Sequence, residues 1–352
     1  MWPKNALTER LNLKWPILQA PMGSASTPAL AAAVTNAGGL GGLGMWNRTA
    51  EQAARRIAGF RQQSGGSVNV NYPIWPDPRC APEVTEAMRR HLQSQYDAFG
   101  LGAVPDPQGG VSDVGPDHVA LLLDTRPEVV SFHFGMPEPE VMQALKAAGA
   151  FLMSSATTVR EARMLEAAGC DAIIAQGTEA GGHRATFTGV AIGSQPGLFA
   201  LLPQIVDAVD VPVIAAGGIA DGRTAAAAFM LGASAVQLGT AFLLCDEAEV
   251  RDAHRAALAN ADDSCTVVTE VISGRPCRYI RNAMIDDLVE SGVQPLPVPA
   301  QQTLTQPLAA AGKADWTALT SGQSAALAKA TNAAELMERL AAETAQRLRA
   351  FA

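Results

Sequence analysis

Eight short apolar runs, seven of them followed directly by an alanine-rich helical pattern, predict an α/β protein: a (β/α)8 TIM barrel with a smaller C-terminal cap or lid subdomain. The runs are apolar nearly throughout, as parallel strands buried on both faces must be. The helical patterns end at Gly38, Gly149, Gly169 and Gly232, where a left-handed residue stops a helix. Eight such units favour a closed barrel over an open doubly wound sheet.

In order, "PILQAP" leads into "TPALAAAVTNAGG", where Thr27 caps a helix beginning at Pro28. "LGGLGM" leads into "TAEQAARRIAGFRQQ", and "VNVNYP" is the third strand. "EVVSFHFG" precedes "PEVMQALKAAG", "AFLMSSA" precedes "TVREARMLEAAG", and "DAIIAQG" precedes "GLFALLPQIVDAV". "VPVIAAGG" precedes "DGRTAAAAFMLGA", and "AVQLGT" precedes "AEVRDAHRAALAN". Residues 1–262 are thus expected to form the barrel, with an insertion at 76–112 after the third strand that holds a helix near 83–96. A cap or lid is expected over 263–315, and a helical tail over 316–352 that packs back on the barrel.

The 352 residues are 48% hydrophobic with a net charge of -8, and no run of Lys or Arg exceeds a pair. That composition argues against a nucleic-acid or anionic-membrane partner. The first residues lack a signal-peptide layout, and no apolar run is long enough to span a bilayer. The five cysteines are scattered and odd in number, which fits a reducing, cytoplasmic setting and no disulfide framework. Without a metal-binding His or Cys spacing, no metal is expected.

Strand alternation picks out candidate site residues. Val130, Phe132 and Phe134 should face the helices, which turns His133 inward at the C-terminal mouth, where barrel enzymes place their chemistry. A lone His is more commonly a satisfied core residue; its place at a strand end beside Ser131 brings the functional reading level with that one. The same rule turns Asn69 and Asn71 inward, and Gln176 and Gln237 lie at comparable strand positions. Each amide alone could be a polar filler, but three near one rim are better explained by a polar planar ligand. Gly217 and Gly218, with Gly239 and Thr240, end the last two strands, where barrels most often seat a phosphate on backbone N–H groups; Arg223 lies near. Met22 follows the first strand and has no purely structural explanation. In "QGTEAGGHRATF" the pair Gly181 and Gly182 strips the backbone of side chains immediately before His183.

Taken together, "QAPMGSASTPALAAAVTNAGGLGGLG", "VNVNYP", "SFHFG", "QGTEAGGHRATF", "AAGGIADGRTAAAAFMLGASAVQLGTAF" and "SGRPCRYIRNAM" resemble class I nitronate monooxygenases, formerly called 2-nitropropane dioxygenases. The glycine motifs also suit related FMN barrels; "SFHFG" joined to "AGGHR" is what points to the nitronate enzymes. The resemblance implies non-covalent FMN held by Met22, Asn71, Gln176, Gly181, Gly217, Gly218, Gln237, Leu238, Gly239 and Thr240. It also implies oxidative denitrification of alkyl nitronates, such as propionate 3-nitronate, or of nitroalkanes, with O2. A one-electron step through a flavin semiquinone would yield a carbonyl compound and nitrite. His133 would bind the nitro group or remove the α-proton, with a pKa near operating pH, and His183 would be the second choice or its orienting partner. The chain departs from the pattern in having no aromatic residue between Tyr279 and Trp316. The alternative activity is an NAD(P)H-dependent quinone or enoyl-thioester reductase on the same FMN barrel, and the non-enzymatic one is a flavin-storing barrel.

Overall fold

A computed structural model describes residues 5–23, 25–74, 81–107, 114–311 and 314–350. Both ends of the expected insertion, residues 76–80 and 108–112, lie outside the described residues, as does Cys80.

All eight expected barrel strands form: β1 (Ile17–Gln19), β2 (Gly41–Gly44), β3 (Val68–Pro73), β4 (Val129–His133), β5 (Phe151–Ala156), β6 (Ala172–Gln176), and then β8 (Val213–Ala216) and β9 (Ala235–Leu238). A two-residue strand, β7 (Gly182–His183), intervenes and belongs to another sheet. The barrel strands pair in parallel in the order β1-β9-β8-β6-β5-β4-β3-β2. The parallel bridge Leu18–Leu40 joins the two ends, so the sheet closes.

Inward side chains fill the barrel: Leu18, Leu40, Val129, Met153, Ile174 and Ile214 form one buried cluster, plugged from below by Leu7 of the helix Ala6–Arg10. Their outward neighbours Val68, Val70, Tyr72, Val130 and Phe132 pack under the helices. This is the alternation the sequence predicts, with one exception. Phe134 does not continue the outer face, because β4 ends at His133 and Phe134 adopts φ +73°. A left-handed backbone at a bulky residue costs about 1–3 kcal/mol, and here it turns the ring onto His133, with centroids 4.5 Å apart.

The helix starts and stops follow their local chemistry. Thr27 Oγ1 accepts from Leu30 N with Pro28 in the first turn, and Gly38, Gly149, Gly169 and Gly232 have φ between +92° and +98°.

The chain after β3 and the chain after β9 meet over the mouth. Met88, Leu92 and Tyr96 of the helix Pro82–Ala98 share a core with Tyr279, Met284, Leu288 and Leu304. The Tyr96 hydroxyl donates to Leu304 O at 2.6 Å. Two strands there, β10 (Thr266–Thr269) and β11 (Cys277–Ile280), form an antiparallel sheet with β7. The "GGH" stretch is therefore the edge that stitches the barrel rim to this sheet. The last helix, Ala333–Ala350, buries Leu336, Met337 and Leu340 in the barrel's outer core.

Candidate active site at the barrel mouth

A cavity of about 620 Å³ opens at the C-terminal ends of the strands. That lies within the roughly 300–1,000 Å³ of cofactor and small-ligand sites. Its wall brings together Met22, Asn71, His133, Gln176, Gly181, His183, Gly217, Gly218, Gln237, Gly239 and Thr240. Asn69 does not line it, and neither does Leu238. Its side chain alternates outward into the helix-facing core, and its carbonyl accepts from Ala20 N at 2.8 Å. Arg223 is also spent elsewhere, on Asp221 at 2.7 Å and 2.5 Å.

The two glycines before His183 do different work. A Cβ on Gly181 would lie 2.5 Å from Gly322 N and from Ser321 C, so Gly181 is small because the returning 321–322 backbone packs on it. Gly182 has φ +77° with open space beside it, so there the left-handed conformation is what excludes other residues. At the far rim, the N–H groups of Gly218, Gly239 and Thr240 make no hydrogen bond among the described residues. Backbone donors of that kind suit an anion.

Gln176 spends its amide on the protein. Nε2 donates to His183 O at 3.0 Å and Oε1 accepts from Ala185 N at 2.9 Å. Asn71 Nδ2 donates to Ser131 Oγ at 2.9 Å. Gln237 differs, since its Oε1 is buried with no partner among the described residues. A buried acceptor left unmet costs about 1–3 kcal/mol, so this wall fits a ligand carrying an N–H or O–H.

Both histidines are neutral at pH 7. Burial pushes the His133 ring down to about 4; a hydrogen bond to the His183 carbonyl resists the shift, and the guanidinium groups of Arg275 and Arg184 reinforce it. Burial likewise takes His183 to about 3, with His133 and Arg275 adding to the effect. The expectation of a base poised near operating pH is therefore corrected downward by desolvation. His133 Nε2 lies 3.1 Å from His183 O and Nδ1 lies 3.2 Å from Ser155 Oγ. His183 Nε2 meets Ser273 Oγ at 2.9 Å.

Trp46 stacks on His183 with ring centroids 4.7 Å apart, and Phe134 stands edge-on to both. Arg275 lies 4.1 Å over Phe134. Behind this wall, the Glu161 carboxylate, fully buried, accepts from Thr157, Thr186, Phe187 and Thr188, pinning the chain just beyond His183. Arg184, also fully buried, donates to Gln176 O, Gly177 O and Gln195 Oε1.

Sequence reasoning missed Trp46, Ser155 and Ser273. Alternation through "AFLMSSA" would have found Ser155, which shares an inward face with Met153. Trp46 follows β2 at the mouth and carries the same positional signal. Ser273 comes from the cap, and nothing in a strand pattern points to it. Among the described residues, no group of His, Cys, Asp and Glu could hold a metal ion, and no helix is long and apolar enough to cross a membrane.

A closed parallel barrel with glycine turns, unmet polar atoms and buried imidazoles around one mouth defines an α/β-barrel protein with a small-ligand cavity at the C-terminal ends of its strands. The family model for nitronate monooxygenase matches residues 4–343, and the chain belongs to that family. It is 40% identical over 347 residues to a nitronate monooxygenase of Pseudomonas aeruginosa, covering 96% of this chain and 98% of that one. It is 39% identical to a nitronate monooxygenase of Paraburkholderia phytofirmans, covering 99% and 98%. Among solved structures, it resembles the nitroalkane oxidase of Streptomyces ansochromogenes with a TM-score of 0.92 and 40% identity, over 99% of this chain and 100% of that one. FabK of Thermotoga maritima is more distant, at TM-score 0.78 and 29% identity over 99% and 100%.

Proposed function

We propose that the cavity holds FMN and that the protein oxidises alkyl nitronates, propionate 3-nitronate among them, with O2 to carbonyl compounds and nitrite. The observation that carries this reading is the convergence of His133 and ten further positions expected from the sequence on one mouth, in a chain of this family. The residues fit the group. Gly217, Gly218, Gly239 and Thr240 would hold a phosphate on backbone N–H groups. Gln237 Oε1 would accept from a ring N–H, and Met22, Asn71 and Gly181 would border the ring system. Bound there, FMN supplies the redox chemistry between nitronate and O2.

The protein's own groups prepare the substrate. Trp46 and His183 line the cavity and would shield the reacting carbon from water, with Phe134 packed edge-on against both rings. His133 is neutral above about pH 4, so it serves as a proton acceptor. Its Nε2–H is spent on a carbonyl, which argues against direct donation to an anionic nitro group. A base this weak favours substrates that arrive already ionised, as nitronates do.

The test is O2 uptake and nitrite release by the purified protein with propionate 3-nitronate, without NADH. Turnover above that of free FMN is expected, and none would end the proposal. Rapid anaerobic bleaching of the bound flavin by NADH would instead favour the NAD(P)H-dependent reductase.

A further inference from the structure

Three side chains that line the mouth cavity carry a buried acceptor with no partner among the described residues: Gln237 Oε1, His254 Nε2 and Gln302 Oε1. Gln237, on β9, is accounted for by a ring N–H of FMN. The other two come from the cap side, on helices that contribute none of the positions assigned to the cofactor. Gln302 belongs to the helix Ala300–Ala310 and His254 to the helix Asp252–Ala259.

The helix Ala300–Ala310 turns one stripe to the cavity. Gln302, Thr305, Gln306 and Ala309 line it, at the three- and four-residue spacing of a single helix face. Hydrogen bonds anchor that stripe beside the histidines. Ser273 Oγ meets the His183 ring at 2.9 Å, and the carbonyl of the adjacent Ile272 accepts from Thr305 Oγ1 at 2.7 Å. Gln301 Nε2 donates to Val271 O at 2.7 Å, fixing the start of the helix to the same stretch of chain. The stripe carries amides, a hydroxyl and a methyl, and the sequence holds no aromatic residue between Tyr279 and Trp316. A hydrocarbon tail against it would leave the Gln302 acceptor buried and unmet.

His254 has the same need. Burial, the largest influence, pushes its ring down to about 4, and the Thr320 carbonyl, which resists the shift, accepts from the ring. Since Nε2 has no partner, that bond and the ring proton belong to Nδ1, and Nε2 is a bare acceptor at pH 7. A carboxylate tail only accepts, so it meets neither atom. An ammonium tail would share the cavity with Arg48 and Arg251. A hydroxyl is uncharged and donates.

We infer that His254 and Gln302 form a tail subsite that selects nitronates bearing a hydroxyl at the far end of the carbon chain. The inference rests on the nitronate reading and deepens it by naming the substrate class. One hydroxyl donates to one of the two acceptors, and a second hydroxyl or a water meets the other.

The experiment uses the holoenzyme and the nitronates of 3-nitropropan-1-ol, 1-nitrobutane and 3-nitropropanoate, which match in length and differ at the tail. The kcat/KM for the hydroxyl tail should exceed that for the methyl tail by about tenfold or more, the effect of leaving one buried acceptor unmet. It should also exceed that for the carboxylate tail. Gln302→Met and His254→Phe should each reduce the preference, and the double variant should erase it; where the double variant does not fold, the single ones decide. FMN content and Tm, measured on each variant, should stay near those of the wild type. Equal kcat/KM for hydroxyl and methyl tails, a preference for the carboxylate, or variants that keep the full hydroxyl preference would overturn the subsite. A variant that melts like the wild type but has lost FMN would assign its acceptor to the cofactor and overturn the subsite as well. A wild type that oxidises none of the three nitronates would instead strike the underlying reading.

Discussion

The imidazole of His133 and the main-chain carbonyl of His183 meet at 3.1 Å, although fifty residues separate them. The second histidine of the site thus orients the first through its backbone, while its own ring stacks on Trp46. His133→Asn should therefore lower kcat/KM with a neutral nitroalkane, whose α-proton must be removed, by about 100-fold, and with nitronates much less, while FMN stays bound. Steady-state nitrite release together with the flavin spectrum checks this, and undiminished turnover of the nitroalkane would remove His133 from the chemistry.

Gly181 is set by close approach rather than by ligand contact. Gly181→Ala places a methyl 2.5 Å from the 321–322 backbone, and overpacking of that kind costs about 1–3 kcal/mol. A lowered Tm and weakened FMN retention are expected, read by thermal melts with and without added FMN.

Glu161 carries four hydrogen bonds on Oε1 and two on Oε2, all from donors on the protein. Glu161→Ala leaves those donors facing a void, and the expected loss is about 3–5 kcal/mol of unfolding free energy. Denaturant titration measures it. A loss under 1 kcal/mol would mean that water replaces the carboxylate at little cost.

The buried rings also set a pH dependence of stability. His133, His183 and His254 are held down to about 4, 3 and 4 from 6.5. Between those limits the unfolded chain binds protons that the folded chain refuses, so stability is full above about pH 6.5 and falls as pH drops. Each pH unit in that window costs about 1.4 kcal/mol per ring. Unfolding curves at stepped pH test the direction, and His133→Asn should flatten part of the slope.

The fold was legible because parallel strands announce themselves: apolar runs, glycine stops and period-two alternation gave all eight barrel strands and the inward turn of His133. Alternation failed at Phe134, where a left-handed backbone ends the strand, since a pattern rule carries no information about φ. Leu238 was carried over with its neighbours in "QLGT", although its own register turns it outward. The stitching of β7 to β11 was invisible for another reason. Two residues of strand leave no periodicity, and the partner lies nearly a hundred residues away. The depressed histidine pKa values were hidden likewise, because desolvation is a property of the packed cavity and not of the sequence around each ring.

The central claim, that this mouth seats a flavin mononucleotide, is tested most directly by the absorption spectrum of the purified protein and the identity of what heat releases from it. One FMN per chain, with the visible bands of a bound flavin, is the predicted result. A colourless protein that takes up no FMN when it is supplied would contradict the account.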